Sequence, residues 1–336
     1  MDHCLFESLS AFIDDPGAGD FNSLALQLFS RQVMCNQAYR RYVAASGIQS
    51  ENVTSWREIP AAPSVAFKAY DLTCSPIESS SRVFHSSGTT EARASKHYMD
   101  RAAVELYDRS LTRGFEDAIP GASGQPLWAM MPSPNEAPHS SLSHMLATLG
   151  ASRWFWDDWS SLAGALAEAR EPVTLFGTGF AFVALFDNYP DARWPLPPGS
   201  LVVNTGGFKG RTREVAQDEF YAMLRERFTI DDKGCLGEYG MSEMASQFYN
   251  QGEVGPYKGP HWTRTRIIDP ETGADAAEGT AGLLRHYDLA NWNSVLAIQT
   301  QDLAIAEGDG FHLLGRAPDA EVRGCSLTVE ALWNRP

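Results

Sequence analysis

The sharpest chemical signal in the sequence is Ser86-Ser87-Gly88-Thr89-Thr90, with Lys96 and His97 close behind. Small hydroxyl residues around a glycine let backbone N–H groups and hydroxyls converge on phosphate oxygens, and a nearby lysine adds positive charge. The run lacks the Gly-Lys-Ser/Thr ending of a Walker A loop, and a plain Ser/Thr surface loop is the competing reading. A second signal is Glu238-Tyr239-Gly240-Met241-Ser242-Glu243. There a ring can stack on a purine, and a carboxylate four residues later can hold Mg2+ against phosphates. The alternative is a strand end with a buried tyrosine and a solvated glutamate. Third is Thr205-Gly206-Gly207-Phe208-Lys209-Gly210-Arg211, which follows an apolar strand. Paired glycines permit close backbone approach at the carboxyl end of a strand, where α/β sheets bind ligands; a plain turn would look the same. Fourth is the tail: Asp302, Gly315-Arg316, Asp319 and Arg323-Gly324-Cys325. An aspartate can hold both ribose hydroxyls and an arginine can reach a phosphate, although each alone also reads as a surface ion pair.

The elements that must position these residues follow from hydrophobic periodicity. Residues 22–45 read as one helix stopped by Gly47, and residues 100–114 as another. The middle alternates: strands at 126–131, 172–176 and 201–204, and helices at 141–149, 180–186 and 213–228. Strand–helix alternation predicts an α/β protein with helix-covered sheets. After His261 the pattern turns to short strands at 263–268, 282–287, 295–298 and 311–314. The organisation expected is an α/β nucleotide- and acyl-binding body over residues 1–260. A smaller β-rich part over 261–336, with a hinge-like tail, belongs to the same compact unit.

The chain has 336 residues, 43% of them hydrophobic, which is enough for a sizeable core. Its net charge of −15 makes nucleic acid and anionic membranes poor general partners. No apolar run is long enough to span a bilayer, and the first residues carry no basic region of a signal peptide. The five cysteines, Cys4, Cys35, Cys74, Cys235 and Cys325, are scattered and form no CxxC pair. Neither a disulfide framework nor a zinc site is therefore expected, and a reducing cytoplasm fits best.

Taken in order, the four motifs resemble the adenylate-forming superfamily of acyl-CoA synthetases, luciferases and adenylation domains. More narrowly the chain looks like the acyl-protein synthetase (LuxE-type) family. That likeness rests on Ile59-Pro60, Phe67-Lys68, Ser95-Lys96-His97, residues 138–142 (PHSSL), TGGFKGR, EYGMSE with Ser246-Gln247, and RGCSL, and it spans nearly the whole chain. The resemblance implies that Ser86, Ser87, Gly88, Thr89, Thr90 and Lys96 embrace the ATP phosphates. It implies that Gly206, Gly207 and Tyr239 sandwich adenine, that Ser242 touches the α-phosphate, and that Glu243 binds Mg2+. Asp302 and Arg316 would hold the ribose. His139 and the turn Gly177-Thr178-Gly179 are the candidates for the acyl-binding region.

Other superfamily members bring a catalytic lysine on a C-terminal domain, and this sequence runs only to Pro336, so that domain and its lysine are expected to be missing. Lys209 and Arg211 are the candidates to stabilise charge on the α-phosphate instead, simple solvation of a basic turn being the alternative. By the resemblance Asp319 marks a hinge, and Cys325 takes the acyl group from acyl-AMP, with Arg323 favouring the thiolate. An inert terminal cysteine is the plainer reading. The remaining four cysteines are read as structural. The expected activity is an ATP- and Mg-dependent acid–thiol ligase. It would activate a carboxylic acid, a fatty acid by family likeness, store it as a Cys325 thioester and deliver it to an acyl reductase or other acceptor. Two alternatives stay open: transfer to coenzyme A, a carrier thiol or an amine without Cys325, and a non-catalytic nucleotide-binding subunit. Self-association as a homo-oligomer is open as well.

Overall fold

The computed structural model describes residues 2–86, 94–122, 124–206 and 215–317. The chain divides into two compact units: Met1–Arg113 with Met241–Ser246 and Gly259–Pro336, and Gly114–Gly240 with Gln247–Lys258.

The first unit opens with helices α1 (Asp2–Asp14), α2 (Phe21–Cys35) and α3 (Gln37–Ala45). Residues 22–45, expected as one helix, are two. Asn36 takes extended backbone and ends α2 with its N–H on the Gln32 carbonyl, while its side chain accepts the Tyr39 N–H at 3.0 Å to start α3. An asparagine able to cap both ways competes successfully with continued helix. Strand β1 (Ala62–Pro63) follows, then the antiparallel hairpin β2 (Arg82–His85) and β3 (Lys96–Met99), and helix α4 (Arg101–Ala118) leads on towards the second unit.

The second unit is a six-stranded sheet in the order β5 (Ala151–Trp154), β4 (Leu127–Met130), β6 (Thr174–Thr178), β7 (Leu201–Thr205), β8 (Cys235–Tyr239), β9 (Phe248–Gln251). All pairs are parallel except β8 with β9. Its central strands are buried along almost their whole length, as parallel strands flanked by helices must be. Helix α5 (Ser141–Thr148) lies in the β4–β5 connection. Helices α6 (Trp159–Glu168), α7 (Gly179–Asn188) and α8 (Gln217–Phe228) send Leu162, Phe182, Phe220 and Leu224 into one core with Trp128, Leu175, Val202 and Cys235.

The chain returns to the first unit as β10 (Thr263–Ile268), β11 (Gly282–Asp288), β12 (Ala297–Glu307) and β13 (Gly310–Arg316). Antiparallel pairing runs β10–β11–β12–β13, and β1 joins β12 in parallel. Strand β12 is far longer than the 295–298 run expected. Polar Gln299 and Thr300 break the apolar pattern, yet both bond the Leu284 carbonyl across a register shift in β11. Trp262, Tyr287, Tyr39, Phe29 and Phe84 are fully buried in this unit, each contributing about 1.5–3 kcal/mol of apolar burial.

The cysteine expectation needs correction: Cys35 and Cys74 form a disulfide, their Cα atoms 4.6 Å apart. Linear spacing is no guide, because the two are 39 residues apart and meet through the fold. The Cys74 N–H bonds the Asn293 carbonyl at 2.8 Å, while Asn36, next to Cys35, bonds the Ser294 carbonyl at 3.4 Å. Cys4 is exposed and Cys235 is buried, its thiol pushed up to about 12 mainly by burial. No helix among the described residues is long and apolar enough to cross a membrane.

Candidate active site

Met241–Ser246, the connector between β8 and β9, belongs to the first unit and carries Ser242 and Glu243. Its turn closes with the Met244 N–H on the Met241 carbonyl at 3.0 Å. Asp288, wholly buried at the end of β11, accepts the Ala245 N–H (3.0 Å), the Ser246 hydroxyl (2.7 Å) and the Ala290 N–H (3.0 Å). Ser246 Oγ also receives the Trp262 indole N–H at 2.9 Å and lies 3.0 Å from Ser110 Oγ. Asn291 Nδ2 donates to the Glu243 carbonyl at 3.1 Å and to the Val295 carbonyl at 3.0 Å. Burial pushes the Asp288 carboxyl up to about 6, against the pull of these donors.

Glu243 is half-buried, and burial pushes its carboxyl up to about 7. Its own backbone N–H, Lys68 and Arg316 pull the other way, while Asp302 adds to the rise. Lys68 ends the short 3-10 helix Ser64–Lys68. Asp302 and Arg316 face each other across β12 and β13, with Arg316 Nε 3.7 Å from Asp302 Oδ1. Glu243 thus lies in the electrostatic field of one further carboxylate and two cations of the first unit. Among the described residues no group of three or more His, Cys, Asp or Glu could hold a metal ion by itself. A single carboxylate whose charge is disfavoured suits a cation that brings its other ligands with it, as Mg2+ on a polyphosphate does.

The hairpin beside the hydroxyl-rich run is also braced. Ser86 Oγ accepts the Ser95 N–H at 3.0 Å, and the Ser86 N–H returns to the Ser95 carbonyl at 3.1 Å. Ser95 Oγ meets His97 Nε2 at 2.8 Å with the Phe67 ring packed beside the imidazole. Burial first, then His85, lowers His97 to about 3, so it is neutral. Lys96 points outward, in register with His85.

In the second unit, Tyr239 ends β8 with its ring edge-on to Phe248 and Tyr257, each 6.1 Å away. Gly206 leaves β7 at φ +64, exposed, with open space where a Cβ would stand. Between these strand ends the Thr205 hydroxyl donates to the buried Glu238 carboxylate. A step inward, a Cβ on Gly237 would stand 2.5 Å from the Tyr257 hydroxyl and 2.6 Å from Asn250 Oδ1. Asn204 Nδ2 donates to the Leu236 carbonyl at 2.8 Å and to the Tyr221 hydroxyl at 3.2 Å. Gly177 is buried against Met130 and Phe182, and Thr178 caps α7 by accepting the Ala181 N–H at 3.3 Å, with Gly179 the first residue of that helix. His139 is exposed, one residue before the Ser140 cap of α5.

Ser87, Gly88, Thr89, Thr90, Gly207, Lys209, Arg211, Asp319 and Cys325 lie outside the described residues. Within the first unit the structure brings together Glu243, Asp302 and Arg316. It adds Lys68, Asp288 and Asn291, which the motifs did not place in the site. The signal for the last two was an apolar strand ending in Asp288-Leu-Ala-Asn291, an abrupt run of side chains that can bond backbone.

No protein-family model matches the chain, and no curated protein matches it in sequence. Solved structures do match in fold. The ATP-bound MatB from Rhodopseudomonas palustris aligns at TM-score 0.52 and 16% identity, over 72% of this chain and 49% of that one. A 2-hydroxyisobutyryl-CoA ligase in its postadenylation state, holding 2-HIB-AMP, aligns at TM-score 0.65 and 14% identity, over 88% of this chain and 67% of the ligase. The same ligase with 2-HIB-AMP and CoA in the thioesterification state aligns at 0.64 and 15%, over 95% and 68%. The chain thus spans about half the length of the first of these proteins and about two thirds of the second. It shares the α/β fold of these proteins.

Proposed function

We propose that the chain activates a carboxylic acid with ATP as an acyl-adenylate and passes the acyl group to a thiol. The observation that carries this reading is the destabilised Glu243 carboxylate, set with Asp302, Arg316 and Lys68 on a fold shared with proteins crystallised with ATP and with an acyl-AMP. In the first step a carboxylate oxygen attacks the α-phosphorus, and the bond to pyrophosphate breaks. Bound with the nucleotide, Mg2+ supplies charge neutralisation at the phosphates, and Glu243 is the residue that would hold it. Ser86 to Thr90 and Lys96 hold phosphates, Ser242 touches the α-phosphate, and Asp302 with Arg316 takes the ribose. On the second unit Gly206, Gly207 and Tyr239 are assigned to adenine, Lys209 and Arg211 to the developing phosphate charge, and His139 with Gly177 to Gly179 to the acid. In the second step the Cys325 thiolate attacks the acyl carbon and AMP leaves, giving a thioester for a reductase or other acceptor. Tethering makes that transfer effectively unimolecular. Asp319 is the hinge of this scheme.

Coenzyme A is the second acceptor to consider, since the fold is shared with a ligase crystallised with CoA and 2-HIB-AMP. The test of activation itself is pyrophosphate release from Mg·ATP across a panel of short-, medium- and long-chain acids. Release that requires one class of acid supports the proposal. Nucleotide binding without acid-dependent release across the panel points to a regulatory nucleotide-binding subunit instead.

A further inference from the structure

We infer that Asp288, with Asn291, is a positioning residue that sets the metal-binding posture of Glu243; this rests on the proposed function above. A carboxylate used once per turnover must be held by something other than its ligand, and a short connector has little stiffness of its own. Met241–Ser246 gains support from the turn after β11. Asn291 Nδ2 fixes the carbonyl of Glu243 itself at 3.1 Å, and Asp288 takes the N–H of Ala245 at 3.0 Å. The Ser246 hydroxyl, 2.7 Å from Asp288, anchors the connector's end and is itself held by the Trp262 indole. Asp288 cannot drift, because the Ala290 N–H bonds the same carboxylate oxygen as Ser246 and the Asp288 N–H bonds the Leu296 carbonyl at 2.8 Å. Asp288 and Asn291 are three residues apart, so one turn after β11 grips both Glu243 and the residues that follow it.

Two of the acceptor bonds of Asp288 go to the connector within three residues of Glu243, and through Ser246 they tie that connector to the buried network of Trp262 and Ser110. Loss of such outer support around a metal-binding carboxylate weakens metal affinity by roughly 10- to 100-fold.

The test is Mn2+ binding to the full chain with α,β-methylene-ATP, followed by electron paramagnetic resonance, with metal-free AMP binding and thermal melting measured alongside. Asp288→Asn keeps the shape but puts an amide where the Ala245 N–H needs an acceptor. It is expected to weaken nucleotide-dependent Mn2+ binding about tenfold or more while AMP affinity stays within about twofold. Asn291→Ala should weaken Mn2+ binding about fivefold, and it carries the comparison if Asp288→Asn does not fold. Unchanged Mn2+ affinity in the variants, or an equal loss of AMP binding, overturns the inference and leaves the proposed function standing. A wild-type chain without nucleotide-dependent Mn2+ binding overturns both.

Discussion

Glu243→Gln should make the ligand-free protein more stable and less able to bind a metal–nucleotide complex. The folded state raises this carboxyl from 4.5 to about 7, chiefly by burial. Ionising it in the folded chain therefore costs about 3 kcal/mol relative to the unfolded chain, and about 2 kcal/mol once the solvent share of a half-buried group is allowed for. The sign follows from linkage. Below pH 4.5 the group is protonated in both states and the cost is absent. It grows as pH rises from 4.5 and is complete above about 7. Glutamine carries no charge, so the gap between variant and wild type should be near zero at about pH 4.5 and reach about 2 kcal/mol at about pH 8. Urea unfolding at a series of pH values measures it directly. A Glu243→Gln chain no more stable than wild type at about pH 8, or a gap that persists unchanged at about pH 4.5, would refute the reasoning. With the carboxylate gone, Mn2+ binding in the presence of α,β-methylene-ATP should fall by about two orders of magnitude.

Three further outcomes follow from the same physics. His286 is fully buried with Nδ1 3.0 Å from the Thr265 hydroxyl, and burial lowers it to about 3. The stability gained by keeping it neutral is complete above 6.5 and lost as pH falls towards 3. Between about pH 7.5 and 5, His286→Gln should therefore lose about 2 kcal/mol less stability than wild type does, and parallel urea profiles would contradict this. Reducing the Cys35–Cys74 bond, which closes a 39-residue separation, should lower stability by about 2–4 kcal/mol. Cys35→Ser should abolish the dependence of the urea midpoint on dithiothreitol; a wild-type midpoint indifferent to reductant would count against the bond. Gly237→Ala forces a methyl onto Tyr257 and Asn250 and should cost about 1–3 kcal/mol, read from the same unfolding curves, with a neutral result refuting the close packing.

Strands with continuous apolar runs were legible in the sequence because a strand buried on both faces leaves no polar alternation, as at Leu127–Met130 and Thr174–Thr178. Thr263–Ile268 was legible to the residue, flanked as it is by turn residues. The break at Asn36 was not, because a helix pattern continues through it and only the side chain's two-way capping reveals the stop. The length of β12 was hidden by Gln299 and Thr300, whose polar groups are satisfied across the sheet. In the site, the order of the motifs that bear Glu243, Asp302 and Arg316 carried the resemblance from which their roles are proposed, and the fold sets Asp302 beside Arg316. Asp288 and Asn291 were not placed in the site from the sequence, since the groups that tie them to the connector beside Glu243, the Ala245 N–H and the Glu243 carbonyl, are backbone groups more than 40 residues away. Hydrogen bonds to backbone leave no trace in the partner's identity. The disulfide escaped for the related reason that only the fold sets two distant Cα atoms 4.6 Å apart.

The central claim is that this chain makes an acyl-adenylate and takes the acyl group onto Cys325. Intact-protein mass spectrometry after incubation with Mg·ATP and a panel of carboxylic acids tests it most directly, with Cys325→Ala in parallel. The expected result is an acyl mass increment that needs both ATP and acid, that hydroxylamine removes, and that the variant lacks. No increment with any acid, alongside AMP and pyrophosphate released only when coenzyme A is added, would contradict the Cys325 relay. No acid-dependent pyrophosphate under any condition would contradict the activation chemistry itself.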